Sequence, residues 1–221
     1  MGSITKIDAV NHILLMAGES LVNDLEGDSG IDTEVATFIL DRFISDFQMR
    51  GLTSNTYVKK YNLTADGVID LPTDTISAEL TSYHTNNDGD TIRGLSREDK
   101  DGNIRLHNLT DHKNTWDKSK DYYVTIVYSM TWTEIETSIQ RAIMAAAARQ
   151  YQLVMQGDAD MDSYLGNMET IYTAKGKAAD IDDKNKSVFA SLGFKARQIL
   201  NRSNATNDPT RFRYWRSKQD G

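Results

Sequence analysis

The chain has no cysteine, which excludes disulfides, thiolate metal sites and a cysteine nucleophile together and fits synthesis in a reducing compartment. No stretch approaches the roughly 20 consecutive apolar residues that a membrane helix requires. The opening Met1-Gly2-Ser3-Ile4-Thr5-Lys6 lacks the basic and apolar regions of a signal peptide and carries Lys6 where a myristoylation signal has Ser or Thr. A soluble protein with no membrane partner is therefore expected. Catalytic signatures are missing as well. The four histidines, His12, His84, His107 and His112, are scattered, and there is no Gly-x-Ser-x-Gly elbow, His-Glu-x-x-His pair or phosphate loop. No catalytic residue, metal or cofactor is assigned from the sequence, and no internal repeat or low-complexity tract is present.

What is present is 221 residues with 39% hydrophobic and 26% charged positions and a mean hydropathy of -0.53, enough for one domain or one domain with an insertion. The net charge of -7 hides a gradient. From Lys195 to Gly221, seven bases stand against Asp208 and Asp220, giving +5 there and -12 over the rest. An acidic body with a basic tail implies that the tail meets nucleic acid, an acidic partner or a neighbouring copy.

Apolar periodicity predicts a first helix over Lys6–Ala17 on Ile7, Val10, Ile13, Leu14 and Ala17, with a Thr5/Asp8 capping box and Gly18 as its left-handed terminator. A second is predicted over Asp32–Arg50 on Val35, Phe38, Ile39, Phe43 and Phe47, widened by Leu40 and Ile44. The period then falls to two. Tyr57 to Leu63 alternates, Asp66-Gly67 predicts a hairpin turn returning through Val68–Leu71, and Pro72 stops that strand. Further strands are expected at Ile76–Tyr83, Thr91–Leu95, Asn103–Asn108 and Tyr122–Met130. A Thr133/Glu136 capping box should open a third helix running to about Met155. After Gly157 a fourth is expected over about Asp160–Ala178 on Met161, Leu165, Met168 and Tyr172, then a short amphipathic piece at Val188, Phe189, Leu192 and Phe194.

The fold class is therefore α+β. A four-helix layer is expected from residues 1–53 and 132–180, a β-rich lobe inserted at 54–131, and an extended basic arm at 181–221.

Ala9-Val10-Asn11-His12-Ile13-Leu14, Gly18-Glu19, Leu25-Glu26-Gly27-Asp28 and the closing Arg50-Gly51 resemble the opening of tail tubular protein A, the adaptor or head-to-tail connector of short-tailed bacteriophages. Ile139-Gln140-Arg141-Ala142 through Ala147-Ala148-Arg149-Gln150-Tyr151 is similar to that family's third helix. There are two departures: Leu52 stands where the family usually has Trp after its Arg-Gly, and many relatives carry proline near the position of Glu136. The resemblance implies a non-enzymatic virion protein made in the host cytoplasm. It would form a homo-oligomeric, dodecameric ring beneath the portal protein, with helical part and arm toward the portal. The β lobe would face the tail nozzle (tail tubular protein B), tail fibres would attach where adaptor and nozzle meet, and genomic DNA would pass through the channel.

In the arm, Arg211-Phe212-Arg213-Tyr214-Trp215-Arg216 packs three aromatics and three arginines into six positions, the residue types that dominate interface hot spots. With Phe194 they are the candidate portal-docking anchors. Two other readings stay open, a nucleic-acid arm that pairs guanidinium groups with phosphates and stacks rings on bases, and an arm folded back on its own body. Tyr57, Tyr61 and Trp116 are the candidate nozzle-facing residues, with a core position the alternative. The acidic body would suit a channel that repels phosphate, or simply solubility. Asp158, Asp160, Asp162 and Glu169 fall at positions 1, 3, 5 and 12 of a calcium loop, but Ser163 replaces the turn glycine and acids at a helix start already suit the macrodipole. The Asp88-Gly89-Asp90 and Asp99–Asn103 segments read as turns. Asp70 and Asp74 offer the weakest alternative, a polysaccharide-cleaving pair. His12 should lie at the surface or in an interface.

Overall fold

A computed structural model describes residues 4–25, 30–81 and 90–191, with side chains described as far as Asp182. Among these residues the fold is α+β, with four helices and one five-stranded antiparallel sheet. The elements are α1 (Lys6–Met16), α2 (Ile31–Gln48), β1 (Thr56–Tyr61), β2 (Thr75–Leu80), β3 (Gly94–Glu98), β4 (Ile104–Asn108), β5 (Tyr122–Tyr128), α3 (Thr137–Met155) and α4 (Ala159–Ser191). Contacts divide the chain into residues 1–180 and 181–221. The described part of the second unit is helical backbone from Ile181 to Ser191.

α1 begins as its cap predicts. The Asp8 backbone N–H donates to the Thr5 hydroxyl while the Thr5 N–H donates to the Asp8 carboxylate at 2.9 Å, and Gly18 takes φ +73° at the other end. Asn11 then pins the following loop by exchanging two 2.8 Å hydrogen bonds with the Val22 backbone.

α2 departs from the predicted stripe. Ala36, Ile39, Leu40 and Phe47 are buried, whereas Phe38 is 69% exposed. The helix carries apolar residues on two sides, so periodicity alone averaged two lines into one. Leu52, in place of the expected Trp, is buried in the helical core.

The sheet order is β1-β5-β2-β3-β4. The Asp66-Gly67 turn forms, with Thr64 N–H donating to the Val68 carbonyl at 2.9 Å, but the chain does not return along β1. Instead β1 pairs with β5 over its whole length, and Ile69–Leu71 runs beside β4, where Leu71 N–H donates to Ile104 and Leu106 N–H to Ile69. The β-branched and aromatic run of β5 outcompetes the local hairpin because it supplies better cross-strand packing. β3 begins at Gly94, three residues later than Thr91; Ile92 is buried ahead of it. A Cβ on Gly94 would lie 2.7 Å from Trp116 Cη2.

The second capping box also lies elsewhere. Glu134 accepts from both the N–H and the hydroxyl of Thr131, opening a 3-10 turn over Trp132–Glu134, and α3 starts only at Thr137. The turn seats Trp132, whose Nε1 donates to the Ile4 carbonyl at 2.9 Å. Every residue from Ala142 to Ala148 of α3 is buried, which five alanines among these seven positions make possible by letting neighbours approach closely. α4 continues well beyond Ala178, the point where its apolar periodicity stops marking a helix in the sequence; Val188 and Phe189 lie on its backbone, while Leu192 and Phe194 fall outside the described residues. Gly176 rests on α3, where an added Cβ would sit 3.5 Å from Ala142 Cβ.

Two apolar clusters result. One gathers α1, α2 and α3 with Leu52, Met130 and Trp132; the other gathers one face of the sheet with Ile69, Leu71 and Trp116. Buried amides stitch them together. Gln48 donates to the Met130 carbonyl at 3.0 Å and accepts from the Met130 N–H at 2.6 Å. Asn55 Nδ2 donates to the carbonyls of Gln48 and Tyr128 while its Oδ1 accepts from Leu52 N–H.

Replacing Gln48 with leucine strands both Met130 backbone groups, and should lower unfolding free energy in urea by about 2–4 kcal/mol. Gly94→Ala forces Trp116 to shift and should cost about 1–3 kcal/mol in the same titration.

Candidate interaction surface

Among the described residues, no group of three or more His, Asp and Glu side chains is placed to hold a metal ion. The acids with calcium-loop spacing are engaged otherwise. Asp158 caps α4, its Oδ1 accepting from the N–H groups of Asp160 and Met161. Asp162 takes Arg149 in two-pronged fashion, with Nε to Oδ1 at 2.6 Å and the other nitrogen to Oδ2 at 3.2 Å. Glu169 accepts from the remaining Arg149 nitrogen at 3.0 Å. Gly166 lets α4 approach, since a Cβ there would stand 3.3 Å from Arg149 Cζ. Arg149 therefore holds α4 onto α3. Its hydrogen bonds raise its own pKa and hold the Asp162 carboxyl below the usual range. The sequence signal was a lone arginine in an alanine run, one helical hairpin away from unpartnered acids.

Other candidates are also occupied. Asp99 closes a turn by accepting from the N–H groups of Asp101 and Asn103, and Arg105 bridges Asp70 and Asp99 at 2.9 and 2.6 Å. His107 is hydrogen-bonded to Asn114. His12 is half-buried, and burial pulls its pKa below the ordinary imidazole value. His84 and the Asp88-Gly89 pair lie outside the described residues.

The three lobe aromatics have distinct positions. Trp116 is buried, meets Tyr122 edge-on at 5.0 Å and donates from Nε1 to the Leu106 carbonyl. In the β1–β5 register, Tyr57 and Tyr61 stand opposite Ile126 and Tyr122, on the sheet face that carries the apolar cluster. Tyr57 is 37% exposed and contacts Tyr128, its ring centroid 5.4 Å away. Burial pushes the Tyr61 phenol up to about 12. Phe194, Arg211, Phe212, Arg213, Tyr214, Trp215 and Arg216 lie outside the described residues.

The remaining surface feature is apolar exposure on the helices. Leu15, Ile31, Phe38, Leu153, Val154, Tyr164 and Ile171 are all exposed, far more than the isolated apolar residues that any surface carries. None of the described helices is long and apolar enough to cross a membrane.

Residues 7–183 match a family described as Tube, tail tubular protein. The matched span covers both apolar clusters, the amide junction and the Arg149 clamp. No curated protein matches the chain.

The clamp makes a pH-dependent prediction. Because the folded Asp162 pKa lies below its unfolded value, its contribution is complete above about pH 4 and is lost as pH falls through the folded pKa. Arg149→Gln should melt several degrees below wild type at neutral pH, and the gap should close as the solution is acidified below about pH 4. Calorimetry across pH checks this.

Proposed function

The chain belongs to the tail tubular protein family of virion tail components, and from that membership we propose that it is the tail adaptor, a non-enzymatic ring subunit that joins portal to nozzle and lets DNA through. The observation that carries the reading is the extent of the match, residues 7–183, across helical core and sheet alike. Under this reading the chain works as a helical part (1–53 and 132–180), a β lobe (54–131) and a basic arm (181–221), assembled as a dodecamer. The helical part and arm meet the portal, Phe194 and Arg211 to Arg216 serving as anchors. The lobe meets the nozzle, tail fibres engage at that junction, and Tyr57 at the rim of the sheet is better placed for a partner than buried Trp116. Multivalent closure lets modest contacts per subunit sum to a firm joint.

The alternation of arginine with aromatic residues in the arm favours one second reading, a nucleic-acid-binding tail. Size-exclusion chromatography with light scattering separates the two. The full chain should co-elute with the portal ring of its own phage, and a chain truncated at Lys195 should not. If neither joins while the intact chain shifts DNA in low salt, the adaptor reading fails and the nucleic-acid reading replaces it.

A further inference from the structure

α4 is fastened to the rest of the first unit more by polar bonds than by burial. From Ala159 to Asp182 only Leu165 and Gly176 are buried, against eleven buried residues in α3. Arg149 holds the early turns through Asp162 and Glu169. A second fastening comes about 16 Å further along the helix axis. There the Asp180 carboxylate accepts from the Thr53 N–H at 2.7 Å, and the Thr53 hydroxyl donates back to the Asp180 carbonyl at 3.2 Å.

Both partners stand at special places. Thr53 lies inside the turn 52–55, which is closed by the Leu52 N–H on the Asn55 amide oxygen at 2.8 Å and by the Asn55 N–H on the Leu52 carbonyl at 3.1 Å. Asn55 is tied in turn to the Gln48 and Tyr128 carbonyls, so Thr53 offers a fixed anchor. Asp180 is the last residue of the first unit, and Ile181, where the arm begins, follows it directly. One turn earlier Gly176 rests on Ala142, a contact between small groups that gives closeness without direction. The paired bonds of Asp180 supply the direction, since hydrogen bonds weaken steeply when misaligned.

We propose that Asp180 is a positioning residue for the arm. It ties the root of the arm to the turn 52–55, so the arm leaves from a fixed point and the portal has less ordering to impose when it captures the arm. Without the tie, only the fraction of molecules whose α4 lies in the bound setting is competent, and apparent affinity falls by that fraction. The proposal rests on the adaptor reading above and names the residue that prepares its arm for docking.

The chain has no cysteine, so a single engineered disulfide can replace the tie. A Cβ on Gly176 would stand 3.5 Å from Ala142 Cβ, a separation that a disulfide spans. Three full-length proteins are titrated against the portal ring of their own phage: wild type, Asp180→Ala, and Asp180→Ala carrying Ala142→Cys and Gly176→Cys, with the cysteine pair in the wild-type background as reference. Asp180→Ala should bind about tenfold more weakly. The oxidised triple variant should regain the affinity of its reference and lose it again on reduction. A role in fold stability alone would move the melting temperature of Asp180→Ala and leave its portal affinity unchanged, whereas direct contact of Asp180 with the portal would leave the oxidised triple variant weak. Either result overturns the proposal, as does a cysteine pair that stays open under oxidant, because Gly176 then does not rest on Ala142. Should Asp180→Ala not fold, Thr53→Val decides, since it deletes only the hydroxyl bond. Binding about threefold weaker and restored by the same disulfide is expected, and unchanged binding overturns the proposal. A wild-type chain that does not join the portal defeats the adaptor reading itself.

Discussion

Gln48 and Asn55 sit where the chain leaves the helices for the sheet, and Met130 marks where it comes back. Both amides are buried, and between them they satisfy backbone groups of residues 48, 52, 128 and 130. A buried backbone group without a partner is expensive, so the exit and the return of the chain are held side by side. The helical cluster and the sheet cluster are each apolar and non-directional. The orientation of one to the other comes from these amides, which tolerate only one arrangement of donors and acceptors.

The α3 helix solves a different problem. A helix buried from Ala142 to Ala148 must be thin, and alanine gives it thinness without loss of helix propensity. Arg149, at the end of that run, is the first position wide enough and wet enough for a long polar side chain. It uses that space to grip α4 through two carboxylates. Gly166 and Gly176 serve the same close approach from the other side.

Features set by neighbours in sequence were legible, and features set by distant partners were not. The Thr5/Asp8 box, Gly18 and the α+β class follow from local spacing. The return strand after Asp66-Gly67 failed because β5, more than fifty residues on, was the better partner for β1. The Thr133/Glu136 box failed because the same spacing recurs at Thr131 and Glu134, and only the burial of Trp132 chooses between them. Phe38 was assigned to the core because α2 has two apolar lines. The calcium-like acids were legible as a cluster, but their arginine partner lies on another helix. Composition drew attention to the arm, whereas the exposed apolar residues of the helices emerge only once the core has claimed its own.

The two borders of the sheet are unequal. The outer side of β4 is partly closed by Ile69–Leu71, whereas β1 forms a border whose six residues pair with β5 alone among the described strands. An open border is a template for unwanted strand addition, which is how soluble subunits polymerise without limit. Lys59 and Lys60 lie in the middle of β1, Lys60 tied to Asp121 at 2.8 Å and Lys59 over the Tyr61 ring. Their desolvation penalises an incoming strand. One route to runaway association, strand added to strand along the β1 border, is thus guarded by charge in the middle of that border.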